Sequence, residues 1–206
     1  VSQRSPRLAI GFVALVLLGW GAGALWLTIA SSTDLTVIRD AAAQRTAAIE
    51  GAARVVTWAG SAAVLAPLTL ICCLVLLRAG MRQAALAFAF SFTGAALLAD
   101  AVKLLVERAR PPVQHLEAVG SSSFPSGHAT QATAFWLSAI FAARAAGASS
   151  AGVHALALAC VAIVLAVAAS RVYLGVHYPG DVVAGIALGY GWTLLSWRTL
   201  ADPRQL

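Results

Sequence analysis

The sequence predicts an all-α protein, a polytopic six-transmembrane-helix bundle forming a single domain over residues 1–206. Three observations predict it. The chain is 60% hydrophobic and 11% charged, with a mean hydropathy of +0.84, a composition that a soluble domain could not hide from water. Its apolar residues fall in long runs, as a helix crossing a hydrocarbon layer of about 30 Å requires. Its charges sit between those runs, so the formal charge of +6 reflects membrane topology and not a nucleic-acid surface. A lipid bilayer is the expected partner, with no nucleic acid and no obligate protein partner.

The spans follow in order. Residues 8–30 are uncharged over 23 positions and follow Arg4 and Arg7. A secretory signal has an apolar core of about 7–15 residues, so an uncleaved first span is expected. Residues 31–54 are polar and mixed in charge, with Leu35, Ile38, Ala42 and Ile49 at loose helical spacing. That segment reads equally as a helix on the membrane surface or as a loop. The second span, 55–77, is uncharged, and Pro67 is tolerable inside a bundle.

After the basic turn of Arg78 and Arg82 comes the third span, 84–106. Asp100 and Lys103 near its end can snorkel to the interface, and the helix is expected to stop before Pro111–Pro112. A polar loop leads to the fourth span, 128–144, closed by Arg144. The fifth, 154–171, ends at Arg171, and the sixth, 181–198, ends at Arg198. Cys72, Cys73 and Cys160 lie inside apolar runs and read as small buried hydrophobes.

Six spans place the end of the third, the start of the fourth, the end of the fifth and the start of the sixth on one side. Four polar clusters distant in sequence should therefore meet there: Lys103–Arg110, Ser126–His128, Arg171 and His177–Asp181. In S-S-S-F-P-S-G-H-A-T, Pro125 and Gly127 bracket a turn and Ser126 suits a helix N-cap. The free N–H groups of a helix start favour an anion such as phosphate, and His128 there can give or take a proton. Alone, P-S-G-H is better read as a loop joining two helices.

Lys103 and Arg110 are seven apart, two turns of a continuing helix and nearly one face, although each alone reads as a snorkelling charge. Pro179 suits a first helical turn, which puts Asp181 in that turn and His177 just before it. A carboxylate so placed can accept one imidazole N–H and leave the other nitrogen free to attack, or it can merely cap the helix.

Together K-L-L-V-E-R-A-R-P, P-S-G-H and S-R-V-Y-L-G-V-H-Y-P-G-D resemble the three signature motifs of the type-2 phosphatidate phosphatase superfamily, the lipid phosphate phosphatases. Those motifs are K-x6-R-P, P-S-G-H and S-R-x5-H-x3-D. All positions are present, in order and correctly spaced, between Lys103 and Asp181. T-W-A-G-S at Thr57–Ser61 is similar to the family's second span.

The resemblance implies that Lys103, Arg110, Ser126, Gly127 and Arg171 hold a phosphate. It implies that His128 protonates the leaving alkoxide, that His177 is the nucleophile of a phosphohistidine intermediate, and that Asp181 orients His177. It implies no cofactor and no metal. Phosphatidate, phosphatidylglycerol phosphate and polyprenyl phosphates or diphosphates all fit as substrates. His115 and His154 match no motif and read as structural.

Two other classes compete with this reading. Vanadium-dependent haloperoxidases share the motifs, because vanadate mimics phosphate, but they are typically soluble and longer. A non-catalytic lipid carrier would be expected to have lost a motif histidine or the aspartate.

Arg4, Arg7, Arg78, Arg82, Arg144, Arg198 and Arg204 lie opposite the cluster. Arg39, Arg45, Arg54, Lys103, Arg108, Arg110 and Arg171 lie beside it, and three of these are assigned to the anion. Seven cations against four then place both termini in the cytoplasm and the site on the extracytoplasmic face, and the Ala/Arg-rich composition and short loops suggest a bacterial inner membrane.

Overall fold

The computed structural model describes residues 31–201, so the expected span at 8–30 lies outside the described residues. The regular structure of the described residues is all helical: α1 (Ser31–Ala43), α2 (Ala47–Thr57), a 3₁₀ turn (Trp58–Gly60), α3 (Ala62–Arg78), α4 (Arg82–Val106), α5 (Gly127–Ala145), α6 (Ser150–Tyr173) and α7 (Pro179–Leu200). At the centre, α5 packs against α4, α6 and α7, while α3 lies on α4 and α2 on α6.

Among the described residues, three helical segments are long and apolar enough to cross a membrane: Ala47–Arg78, Arg82–Val106 and Ser150–Tyr173. Leu97, Leu104 and Leu158 on their outer faces are 71%, 77% and 74% exposed, a surface suited to lipid and not to water. The remaining expected spans, the fourth and sixth, are present as α5 and α7 but are less apolar than the three outer segments. Their inner faces carry buried Thr130, Thr133, Ser138, Thr193 and Ser196. Small and polar residues make the contacts where membrane helices pack closely, at the expense of hydropathy.

The closest approach is between α5 and α7. A Cβ at Gly185 would stand 2.6 Å from the Ser126 carbonyl oxygen, and one at Gly189 would stand 2.5 Å from that of Thr130. The first turn of α5 therefore lies backbone to backbone against the first half of α7. The opposite half is a dry aromatic core of Leu65, Phe88, Phe92, Phe135 and Trp197. Phe88 and Phe135 meet edge to face at 5.4 Å, and the Trp197 indole donates to Ser138 Oγ at 3.1 Å.

Two expectations are corrected, the continuous second span and the shared helical face of Lys103 and Arg110, and the open reading of residues 31–54 is decided for helix. The stretch 55–77 is broken and not continuous: α2 ends at Thr57 and Ser61 caps a new helix, accepting from Val64 N at 3.4 Å. The break lets Gly60 approach α5 and α6, where a Cβ would meet Val167 at 2.5 Å and the His128 carbonyl at 3.1 Å. Residues 31–54 form α1 and most of α2, with Thr46 as N-cap between them. Thr46 N donates to the Tyr173 hydroxyl at 2.8 Å and Arg45 Nε to the Tyr173 carbonyl at 3.2 Å, which pins this pair to the end of α6.

Finally, α4 stops at Val106, well before Pro111, with Glu107 in the left-handed region at φ 46°. The Lys103 carbonyl keeps its helical partner, Glu107 N at 3.1 Å, and the following loop folds back onto the same end. Ser122 Oγ donates to the Lys103 carbonyl at 2.9 Å, and Ser123 N donates to that of Arg108 at 2.8 Å. Lys103 and Arg110 therefore do not share a helical face. Cys72, Cys73 and Cys160 are free thiols, with Cys160 buried.

Candidate active site

The string S-R-V-Y-L-G-V-H reverses the chain at the end of α6. Val176 N donates to the Arg171 carbonyl at 3.2 Å and Gly175 N to that of Val172 at 2.9 Å, the double bond pattern of a glycine-terminated helix. Gly175 has φ +78°, and a Cβ there would meet the Gln114 carbonyl at 2.7 Å. Only glycine fits both requirements. The reversal carries the chain from Arg171, in the last turn of α6, to His177, whose N–H donates back to the Arg171 carbonyl at 3.3 Å.

Four residues on, Asp181 sits in the first turn of α7, with Pro179 at the helix start. Its Oδ2 accepts from Tyr178 N at 2.9 Å, so the carboxylate does cap the helix. The same oxygen lies 3.6 Å from His177 Nδ1, a ring nitrogen with no other partner. Capping and orienting are therefore compatible in one carboxylate. His177 is 2% exposed and Asp181 is fully buried. Burial, outweighing the opposing pull of Asp181, lowers the His177 pKa to about 4. The ring is then neutral at physiological pH. With its proton assigned to Nδ1, facing Asp181, the Nε2 lone pair is free.

Nε2 lies 3.5 Å from Arg110 Nη1. Arg110 is itself held by three carbonyls: those of Ser121 at 2.8 Å, Ser122 at 3.3 Å and Val176 at 2.5 Å. The loop does by tertiary folding what the expected helix would have done by periodicity. Arg171 is almost wholly buried, and its Nη1 donates to Thr57 Oγ1 at 2.7 Å and to Glu117 Oε2 at 2.5 Å. Its Nε has no partner. Lys103 approaches from α4, with its Nζ 3.3 Å from where a Cβ at Gly127 would stand.

Ser126 is fully buried, and its N–H donates to the Asp181 carbonyl at 2.9 Å, which ties the start of α5 to α7. Ser126 Oγ faces Ala129 N as the N-cap of α5. His128, in the first turn, lies within electrostatic reach of Arg171, His177, Lys103 and Arg110. The eight residues singled out in the sequence thus come together in one cluster at the ends of α4 and α6 and the starts of α5 and α7. It offers three cations, a helix N-terminus and two imidazoles, a set suited to a phosphate dianion.

Other participants escaped the sequence reading. Arg108 Nη1 donates to Asp181 Oδ1 at 2.6 Å, and Ser123 Oγ donates to Asp181 Oδ2. Arg108 Nη2 donates to Asp34 Oδ2 at 2.9 Å. Ser123 and Arg108 lie inside strings already noticed, Arg108 at an unspecified position of the first motif. Asp34 and Glu117 carried no signal. His115 bonds the Pro111 carbonyl at 3.0 Å, and His154 is exposed at the far end of α6.

A family model described as the PAP2 superfamily matches residues 84–204, more than half of the chain. The chain is 41% identical over 96 residues to decaprenylphosphoryl-5-phosphoribose phosphatase of Mycobacterium tuberculosis, covering 45% of this chain and 48% of that protein. It is 37% identical over 120 residues to lipid A 1-phosphatase of Rhizobium johnstonii, covering 53% and 44% respectively. The chain thus spans about half the length of the curated relatives it matches. The crystal structure of a transmembrane PAP2-type phosphatidylglycerolphosphate phosphatase from Bacillus subtilis matches with a TM-score of 0.82 and 27% identity. That match covers 93% of this chain and 97% of that one.

Proposed function

The chain belongs to the PAP2 superfamily, and from that premise we propose that it is a membrane lipid phosphatase working through a phosphohistidine on His177. Its apolar helices and its membrane-embedded relatives make it an integral membrane protein. One observation carries the mechanism: a buried, neutral imidazole backed by Asp181 on one nitrogen and facing Arg110 with the other.

In this reading Lys103, Arg110 and Arg171 hold the phosphate oxygens, with Ser126 and the Gly127 N–H completing the cradle. His177 Nε2 attacks phosphorus while the bond to the lipid oxygen breaks, and His128 gives its proton to that oxygen. A bound dianion among the cations supplies the negative charge against which a protonated His128 is stable. Water then attacks the phosphohistidine, gives a proton to His128, and inorganic phosphate leaves. The protein thereby divides one very slow displacement into two, and positioned charge lowers both barriers.

The substrate class is a phosphomonoester or diphosphate on a lipid: phosphatidate, phosphatidylglycerol phosphate, or a polyprenyl phosphate or diphosphate. No step needs a metal. The test is phosphate release by detergent-purified protein in EDTA, against a panel of these four lipids, with and without vanadate. Release from at least one lipid, surviving EDTA and suppressed by vanadate, is the expected result. A strict magnesium requirement would sink the metal-free mechanism, and silence across the panel from folded protein would count against the activity.

The proposed orientation has the pocket on the extracytoplasmic face of a bacterial inner membrane and both termini in the cytoplasm. Arg108 is locked between two carboxylates, which leaves still fewer topological cations on the pocket side. Cysteines placed at the exposed positions Gly120 and Ala148, in a chain whose native cysteines are serine, report the two sides. In intact cells a membrane-impermeant maleimide should label the first and spare the second. The reverse pattern would invert the topology.

A further inference from the structure

Asp181 is held by residues that the three motifs do not specify. Its Oδ1 takes Arg108 Nη1 at 2.6 Å, and the other fork nitrogen of Arg108 reaches Asp34 Oδ2 at 2.9 Å. Asp34 Oδ1 in turn accepts from Gly180 N at 3.0 Å, in the first turn of α7, one residue before Asp181. Asp34 is 2% exposed, and the Arg108 side chain is 13% exposed. The Arg108 guanidinium also lies flat on Tyr178, 4.1 Å from the ring centroid. A closed circuit results, running from α1 through Arg108 to Asp181 and back through the α7 backbone to Asp34.

Two buried carboxylates around one arginine are costly to desolvate and weakly stabilising as a fold device. Their geometry, however, does something specific. With Oδ1 occupied by Arg108, the carboxylate cannot rotate, and Oδ2 stays on Tyr178 N and beside His177 Nδ1. Arg108 is also withdrawn from the phosphate by its two partners, unlike Lys103, Arg110 and Arg171.

We infer that Asp34 and Arg108 are positioning residues for the reaction: together they clamp the Asp181 carboxylate and the start of α7 so that His177 is held in its attacking tautomer and orientation. The segment carrying Asp34 is thus a working part of the active site, contributed from the N-terminal side of the α3–α7 bundle. The inference deepens the phosphohistidine reading and rests on it. It assigns no substrate contact to either residue.

The test compares wild type, Asp34→Asn, Arg108→Gln, Arg108→Lys and Asp181→Asn in detergent, on whichever panel lipid is hydrolysed. Asp34→Asn keeps the shape and an acceptor for Gly180 N, so it carries the test if Arg108→Gln does not fold. Misplacing a reacting group by about 1 Å costs roughly 100-fold, so kcat should fall by about that factor in Arg108→Gln and by about 10-fold in Asp34→Asn. KM should stay within about 3-fold, because neither residue touches phosphate. Arg108→Lys, which can reach only one carboxylate at a time, should fall between Arg108→Gln and wild type.

On top of Asp181→Asn, either change should cost almost nothing further, since residues acting through one carboxylate are not additive. A lower unfolding temperature with unchanged kcat would reduce the pair to a structural role and overturn the inference. So would a raised KM at unchanged kcat, or losses that multiply with that of Asp181→Asn. If His177→Ala retained wild-type activity, the phosphohistidine reading would fail and the inference with it. An inactive His177→Ala beside fully active Asp34→Asn and Arg108→Gln would sink the inference alone.

Discussion

Replacing His177 with alanine should reduce phosphate release to the uncatalysed background, while Asp181→Asn should leave a folded and far slower enzyme. The two effects differ because the side chains have different duties. In the proposed reaction His177 Nε2 forms the bond to phosphorus, and no other neutral imidazole is paired with a buried carboxylate among the described residues. Asp181 forms no bond to phosphorus and acts only by orienting the ring that does. Asparagine at 181 can still accept from Tyr178 N and Ser123, so the start of α7 should survive. It cannot hold the Nδ1 proton as a carboxylate does, nor balance Arg108. Loss of the corresponding carboxylate in other nucleophile–histidine–carboxylate sites costs on the order of 10⁴-fold, and a kcat lowered by about 10³–10⁴-fold is expected here. Steady-state release and trapping of labelled phosphate on the protein would both report it. Equal, wild-type-like activity in the two variants would remove His177 from the chemistry.

Arg110→Lys should lower kcat/KM by about 10²-fold even though the charge is kept, in line with the loss of one preorganised donor at a developing oxyanion. Arg110 works as a fork fixed by the carbonyls of Ser121, Ser122 and Val176, with Nη1 directed at His177 Nε2. An ammonium on a flexible stem cannot satisfy three carbonyls and still stand at that nitrogen. Near-wild-type kinetics in Arg110→Lys, measured on the same lipid with unfolding temperature as the control, would mean that charge alone suffices at this position. Such a result would count against the fork geometry while leaving the nucleophile untouched.

Much of this was legible before any coordinates. Hydropathy runs located the helices, because a lipid-facing helix must be apolar along its length whatever it packs against. The residues of the three motif strings are local in sequence, and P-S-G-H, Gly175 and Pro179 mark their own turns through backbone preference. What failed was periodicity carried too far. Two turns of periodicity would put Lys103 and Arg110 on one helical face, yet α4 ends at Val106, where Glu107 turns into the left-handed region and the chain leaves the helix axis. Apolar content alone also overran the break at Trp58–Gly60, where Gly60 makes room for α5 and α6.

By itself, then, the sequence determined the membrane-helical class, the order of the helices and the residues proposed here to bind and attack phosphate. Each of those is written in a stretch of a few residues or in the composition of a run. Only the tertiary structure decided how the carboxylate behind His177 is held. Asp34 and Gly180 are 146 residues apart, and Arg108 and Asp181 are 73 apart. No local preference relates residues at such separations. Their pairing follows from α1 reaching the α7 start and the 107–126 loop folding beneath it, where a buried charge must find its partner or not be buried at all.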